Sequence, residues 1–221
     1  MRFVPRFTDG QEFPHALGKI VCVGRNYADH AKELDNPVPS EPLLFIKPST
    51  CAVPLDKPID APFSRGDVHF ETELALLIGE PLSQATAAEA EQAVVGMGLA
   101  LDLTLRDVQS RLKEKGHPWE IAKAFDGACP LSPFLALHGV PEWSALAFSL
   151  DIDGERRQGG AGCDMIFPVA TLLSEMSRHF TLLPGDVVLT GTPAGVGKLP
   201  KGAELHFTLT GGLEVTTRVV A

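Results

Sequence analysis

Short apolar runs, separated by glycine and proline, recur along this chain and predict a strand-rich protein with short helices. Lys19 to Val23 reads as a strand, broken by Gly24-Arg25-Asn26-Tyr27. Ala28 to Leu34 is polar with helical spacing and runs into a proline-rich stretch, Pro37 to Pro42. Leu43 to Ile46 reads as a strand ending at Lys47-Pro48, and the prolines between Cys51 and Gly66 predict loop. Val68 to Ile78 reads as one strand. A helix over Ala87 to Val95 leads into the apolar run Val94 to Thr104. Periodicity does not separate strand from buried helix in that run; a strand is expected. Arg106 to Lys115 is amphipathic and helical.

The last third is richer in hairpins. Phe148 to Ile152 and the residues after Asp153-Gly154 predict a hairpin with an Asp-Gly turn. Val169 to His179 is helical, Pro184-Gly185-Asp186 turns into a strand over Val187 to Thr190, and Gly191 to Gly197 is a Gly-rich loop. Leu205 to Leu209 and Leu213 to Val220 pair across Gly211-Gly212. No repeat, low-complexity segment or linker divides the chain. One domain over residues 1–221 is expected, with residues 1–18 as a short leader.

Two acids stand out in this pattern. In a strand, residues i and i+2 share a face, so Glu71 and Glu73 project side by side from an apolar element. Buried unpaired, they would cost several kcal/mol, on the order of the penalty for buried ions. A hard divalent cation such as Mg²⁺ or Mn²⁺ between them would offset that cost. A wet strand face with both glutamates solvated is the other reading. Asp102, near the end of the second apolar run, would supply a third oxygen ligand or else cap the following helix.

Composition narrows the partners. At 221 residues, 44% hydrophobic and 21% charged, the chain suits a globular protein with a substantial core. The formal charge of −9 disfavours sequence-independent binding to nucleic acid or anionic membrane. A small anionic substrate remains open, because a metal and a few basic residues can invert the field in one cleft. Cys22, Cys51, Cys129 and Cys163 form no C-x-x-C pair and read as free thiols in a reducing compartment. With no apolar signal region at the N-terminus and no bilayer-length apolar run, the cytoplasm is the expected location.

Other side chains offer chemistry. His30 and Glu33, three apart, share a helix face. A carboxylate beside an imidazole orients it and raises its basicity, as a general base needs; a solvated surface pair is the plainer reading. Lys47 and Lys123 could hold an anionic group or offset the acids, or could be surface lysines. Arg106 and Gln109 fall on one helix face that either reaches a ligand or is solvated. The strand into the Gly191–Gly197 loop is neither a Walker A loop nor G-x-G-x-x-G.

Jointly, VCVGRNYADHAKEL, EPLLFIKPST, VHFETELALLIG, ALDLTLRDVQ, PWEIAKAFD and GDVVLTGTPAGVG resemble the fumarylacetoacetate hydrolase family, in its short acylpyruvase-type branch. The segments appear in family order from about residue 21 to 197. The resemblance implies an α+β, β-rich fold, the mixed β-sandwich roll of the family's C-terminal domain, and a homodimer. It implies a metal, Mg²⁺ or Mn²⁺, held by Glu71, Glu73 and Asp102. It also implies substrate contacts from Arg25, Lys47, Arg106, Gln109 and Thr192, and catalytic roles for His30, Glu33 and Lys123, with the His30–Glu33 dyad on a lid over residues 25–39. The expected activity is metal-dependent cleavage of the carbon–carbon bond of acylpyruvate-type 2,4-diketo acids to pyruvate and a carboxylic acid. Oxaloacetate decarboxylation and 2-keto acid isomerisation or tautomerisation, through the same metal enolate, are the alternatives.

Overall fold

The computed structural model of the protein describes residues 3–35 and 37–221. Residues 1, 2 and 36, which fall in the expected leader and lid, lie outside the described residues. In chain order the first elements are β1 (Lys19–Gly24), α1 (Ala28–Glu33), β2 (Leu43–Pro48), β3 (Ala52–Pro54), β4 (Val68–Phe70) and β5 (Thr72–Ile78). Then come α2 (Ala87–Gln92), β6 (Val94–Leu101), β7 (Thr104–Leu105), α3 (Arg106–Glu114), α4 (Glu120–Lys123), β8 (Cys129–Leu131) and β9 (Leu135–Ala136). The last are β10 (Ala147–Ile152), β11 (Glu155–Ala161), α5 (Val169–His179), β12 (Val187–Leu189), β13 (Gly197–Lys198), β14 (Glu204–Leu209) and β15 (Leu213–Arg218).

The strands of the described residues form three sheets. The largest is mixed, in the order β2-β1-β12-β5-β6-β8-β3, with β9 also paired to β6. Its β1–β12 and β3–β8 pairs are parallel. A four-stranded antiparallel sheet runs β11-β10-β14-β15, and a small one runs β13-β4-β7. The four-stranded sheet lies on the large one through β10 against β5 and β14 against β6. The core is the layer between them: Leu74, Leu76, Leu99 and Leu101 are buried on the large sheet, and Leu150, Leu205 and Phe207 on the smaller one. The architecture is the strand-rich α+β sandwich that the resemblance implies.

Three local expectations change. Val68 to Ile78 is not one strand: it breaks at Glu71, leaving β4 in the small sheet and β5 in the large one. The expected helix over Ala87 to Val95 stops at Gln92, because Val94 and Val95 join β6; its start is fixed by a capping box between Thr86 and Glu89. The proline-rich region after Cys51 contains β3, a three-residue edge strand ending in Pro54. Proline is tolerated on an edge, and a strand so short carries no readable period. The Asp-Gly hairpin and the helix Val169–His179 form as expected.

The break at Glu71 positions the site. Thr72 lies opposite Leu101 in β5–β6, and His69 opposite Thr104 in β4–β7. The two ladders therefore share one register, which sets Glu71 opposite Asp102 at the corner where the strand pair leaves one sheet for the other. The Asp102 amide donates to the Glu71 carbonyl across that corner, at 2.8 Å. Directly opposed residues of an antiparallel pair point to the same side, as do residues i and i+2. Glu71, Glu73 and Asp102 thus meet on one face by backbone geometry alone.

Candidate metal and substrate site

The three carboxylates are buried, and one ligand oxygen from each lies within 4.8 Å of the others. The wet-face reading of Glu71 and Glu73 is thereby excluded. So is the cap reading of Asp102: α3 has Leu105 at its N-cap and no side-chain cap bond.

Cations compensate two of the acids. The Lys123 ammonium donates to Glu71 Oε2 at 2.8 Å and to Asp102 Oδ2 at 2.7 Å. The Arg106 guanidinium binds Glu71 Oε1, and Lys47 Nζ lies 2.7 Å from Asp102 Oδ1. Burial would raise the Glu71 pKa, but Lys123 and Arg106 outweigh it and hold the carboxyl well below the usual range. Burial pulls Lys123 and Lys47 the other way; Asp102, aided by Glu71 at Lys123, keeps both ammoniums charged.

Glu73 differs. Among the described residues no cation pairs with it. It accepts the Gly191 amide at 2.6 Å. Burial, Asp102 and Glu71 push its pKa well above the normal carboxylate value. A buried acid beside two others, lacking a cation partner, is what an oxygen-ligated divalent ion would satisfy, so the residues present fit such an ion. Gly191 is suited to its place: its φ is +93°, and a Cβ there would sit 2.7 Å from Asn26 Cβ. Asn26 is itself fully buried and bonded to Thr190 O, Phe167 O and the Phe167 amide at 2.7–3.1 Å.

The cleft above the acids, about 50 Å³, is lined by Arg25, His30, Arg106, Gln109, Lys123 and Thr192 among others. His30, on α1, is buried, with Nδ1 3.4 Å from Glu33 Oε2, so it is not half of a solvated surface pair. Glu33 also accepts the Gly195 amide at 3.1 and 3.2 Å, which ties α1 to the Gly-rich loop. Burial lowers the His30 pKa despite opposing contributions from Glu71 and Glu33. Gln109 Oε1 accepts from Arg106 at 2.7 Å, leaving the Gln109 amide N–H groups for a ligand.

Lys47 sits deeper than the other candidate residues. It was expected at the substrate, but its side chain is fully buried behind Asp102, bonded also to the carbonyls of Lys123 and Ala128, and it does not line the cleft. In β2, Leu43, Phe45 and Lys47 alternate onto one face, and only the first two reach the cavity. Phe45, Trp119 and Lys113 line the cleft without having been singled out. The β2 alternation could have flagged Phe45; Trp119 and Lys113 carry no sequence signal of their own.

Three buried carboxylates thus meet at a sheet corner, paired with lysine and arginine, in a cleft that His30 of α1 also lines. The family model described as fumarylacetoacetate (FAA) hydrolase C-terminal matches residues 19–220. The chain belongs to the fumarylacetoacetate hydrolase family. It is 50% identical over 214 residues, 96% of each chain, to the oxaloacetate tautomerase YcgM of Escherichia coli (strain K12). It is 42% identical over 200 residues, 90% of each chain, to the mitochondrial oxaloacetate tautomerase FAHD1 of Homo sapiens. The crystal structure of fumarylpyruvate hydrolase from Pseudomonas aeruginosa, in complex with Mn²⁺ and pyruvate, superposes with a TM-score of 0.92 at 37% identity, covering 99% of this chain and 96% of that one. No helix among the described residues is long and apolar enough to cross a membrane.

Proposed function

We propose that this protein is a divalent-metal-dependent oxaloacetate tautomerase, interconverting the keto and enol forms of the dianion. The reading rests on the buried Glu71–Glu73–Asp102 cluster with its uncompensated Glu73, taken with the activity carried by relatives 42% and 50% identical to this chain. Those relatives favour the tautomerase alternative over the carbon–carbon hydrolysis that the motifs first suggest. Glu71, Glu73 and Asp102 would hold Mg²⁺ or Mn²⁺, which when bound supplies a Lewis acid to the 2-keto oxygen and its neighbouring carboxylate.

The chain's own groups do the rest. Arg25, Arg106, Lys113 and Lys123 line the cleft against three acids, so it carries net positive charge inside an acidic protein and attracts a dianion. Gln109 and Arg106 orient one carboxylate. Tautomerisation breaks a C3–H bond and forms an O–H bond at C2, with no net proton consumed. With its Nδ1 facing Glu33, His30 keeps Nε2 as the basic nitrogen, and burial keeps the ring neutral. Nε2 takes the C3 proton, Glu33 steadies the imidazolium, and the proton returns at the oxygen. Lys123 adds fixed positive charge where the negative charge develops.

Acylpyruvate hydrolysis is the second reading. An apolar cavity of about 220 Å³, lined by Leu43, Phe45, Pro118 and Trp119, adjoins the cleft at Lys123 and has room for an acyl group. One panel separates the two: decay of enol-oxaloacetate absorbance, and pyruvate release from acetylpyruvate and fumarylpyruvate, each with Mg²⁺, with Mn²⁺ and after chelation. Enol decay no faster than in buffer with either metal sinks the tautomerase reading.

A further inference from the structure

The strand that carries Glu71 and Glu73 loses its neighbour where it matters most. β12 pairs with β5 only from Ala75 to Leu77. Beyond Thr190 the Gly-rich loop departs, and the N–H and C=O of Thr72, the residue between the two glutamates, face away from β6 with no strand beside them among the described residues. A side chain from the other sheet replaces that strand. Gln158 is a buried polar residue of β11, between exposed Arg157 and Gly159. Its Oε1 accepts the Thr72 amide at 2.9 Å. Its Nε2 donates to Thr192 Oγ1 at 2.8 Å and to the Pro193 carbonyl at 3.0 Å. Thr192 Oγ1 in turn donates to the Thr72 carbonyl at 2.9 Å.

Every hydrogen in this ring has one place to go. The Thr72 N–H needs an acceptor and the Pro193 carbonyl needs a donor, so the Gln158 amide can sit only one way round. Because Gln158 donates to Thr192, the Thr192 hydroxyl must spend its single proton on Thr72 O. The wall of the cleft formed by Thr192 therefore presents a lone pair, not a proton, to a ligand.

We propose that Gln158 is a positioning residue of the metal site, which fixes the peptide units bearing Glu71 and Glu73 and sets the direction of the Thr192 hydroxyl. A residue on the second sheet thereby sets the spacing of two metal ligands on the first. The proposal rests on the metal reading of the acid triad and is independent of which keto acid reacts.

The test is Mn²⁺ affinity, read from the electron paramagnetic resonance of free Mn²⁺, in wild type and in Gln158→Met, Gln158→Glu and Thr192→Val. Groups that orient metal ligands typically contribute about 10–100-fold to affinity. Gln158→Met should raise the Mn²⁺ Kd by about that factor. Thr192→Val, which breaks the ring without touching β11, should raise it too. The double variant should be no worse than the poorer single, as expected of groups acting as a unit. Gln158→Glu keeps the shape and the acceptor but loses both donors. At saturating Mn²⁺ it should lower kcat for enol-oxaloacetate decay with KM little changed. Ser149→Ala is the control: it removes a part-buried 2.7 Å bond to Thr208 within the same sheet, a bond that involves neither Gln158 nor the acids, and should leave the Mn²⁺ Kd unchanged.

Wild-type Mn²⁺ Kd in folded Gln158→Met overturns the proposal, and so does wild-type kcat in folded Gln158→Glu. So does strict additivity in the double variant. If Gln158→Met does not fold, the kcat of Gln158→Glu and the Mn²⁺ Kd of Thr192→Val decide the question. Failure of the wild type to bind Mn²⁺ would sink the metal reading itself, which is a different result from equal binding by all the variants.

Discussion

Lys47→Met offers the sharpest check on how the site is built. A surface or substrate-contacting lysine can be truncated at little cost to stability, within about ±0.5 kcal/mol. Lys47 is neither. Its ammonium is fully buried, 2.7 Å from Asp102 Oδ1 and 3.2 Å from the Ala128 carbonyl, with a further bond to the Lys123 carbonyl. Methionine fills the volume, and Ala128 O keeps the Leu103 amide at 3.0 Å. What remains is a buried Asp102 with one lysine where it had two, in a cluster now one positive charge short. Removing one partner of a buried ion pair costs about 3–5 kcal/mol. For a chain of this size each kcal/mol lowers Tm by about 2–4 °C, so the metal-free variant should melt roughly 6–20 °C below wild type. Saturating Mn²⁺ should raise Tm more in the variant than in wild type, because the bound cation restores the missing charge. Adding Asp102→Asn to Lys47→Met should return part of the loss by removing the stranded charge. The assay is differential scanning calorimetry with chelator and with Mn²⁺. A metal-free Lys47→Met within about 2 °C of wild type, below the range just worked, would refute the buried-clamp argument.

Glu73→Gln keeps the shape and removes the acid that lacks a cation, so Mn²⁺ binding and tautomerisation should both be lost; an unchanged Mn²⁺ titration would exclude Glu73 as a ligand. His30→Ala should slow enol-oxaloacetate conversion by about 10²–10⁴-fold, the usual contribution of a positioned general base, while sparing more of any oxaloacetate decarboxylation; equal losses in both would reassign His30 to ligand positioning. Gly191→Ala meets a left-handed φ and a Cβ 2.7 Å from Asn26 Cβ. It should cost about 1–3 kcal/mol and weaken Mn²⁺ binding by moving the amide off Glu73, whereas denaturant midpoint and Mn²⁺ Kd both at wild-type values would count against that role. Amide exchange across α1 should slow when oxalate and Mn²⁺ are added together, as a closing lid requires; identical exchange with and without them would argue that α1 does not move.

Most of the elements, and most of the charged side chains gathered at the cleft, are legible in the residue pattern. Alternation and turn residues placed the Asp153-Gly154 hairpin and the helix Val169–His179. The i, i+2 spacing put Glu71 and Glu73 on one face, because that periodicity is a property of the local backbone. The tertiary structure decided what depends on partners distant in the chain. Asp102 stands opposite Glu71 only because β4–β7 and β5–β6 share one register around a corner. Lys47, 55 positions before Asp102 in the sequence, is a buried clamp only because β2 turns its Leu43–Phe45–Lys47 face inward. Gln158 carries no local signal whatever; among exposed arginines and glycines it reads as one more polar strand residue. Its role follows from a sheet packing that sets it beside Thr72, where a departing strand has left backbone hydrogen bonds to be filled. Local periodicity records which way a side chain points, but not which buried charge or orphaned peptide group waits there.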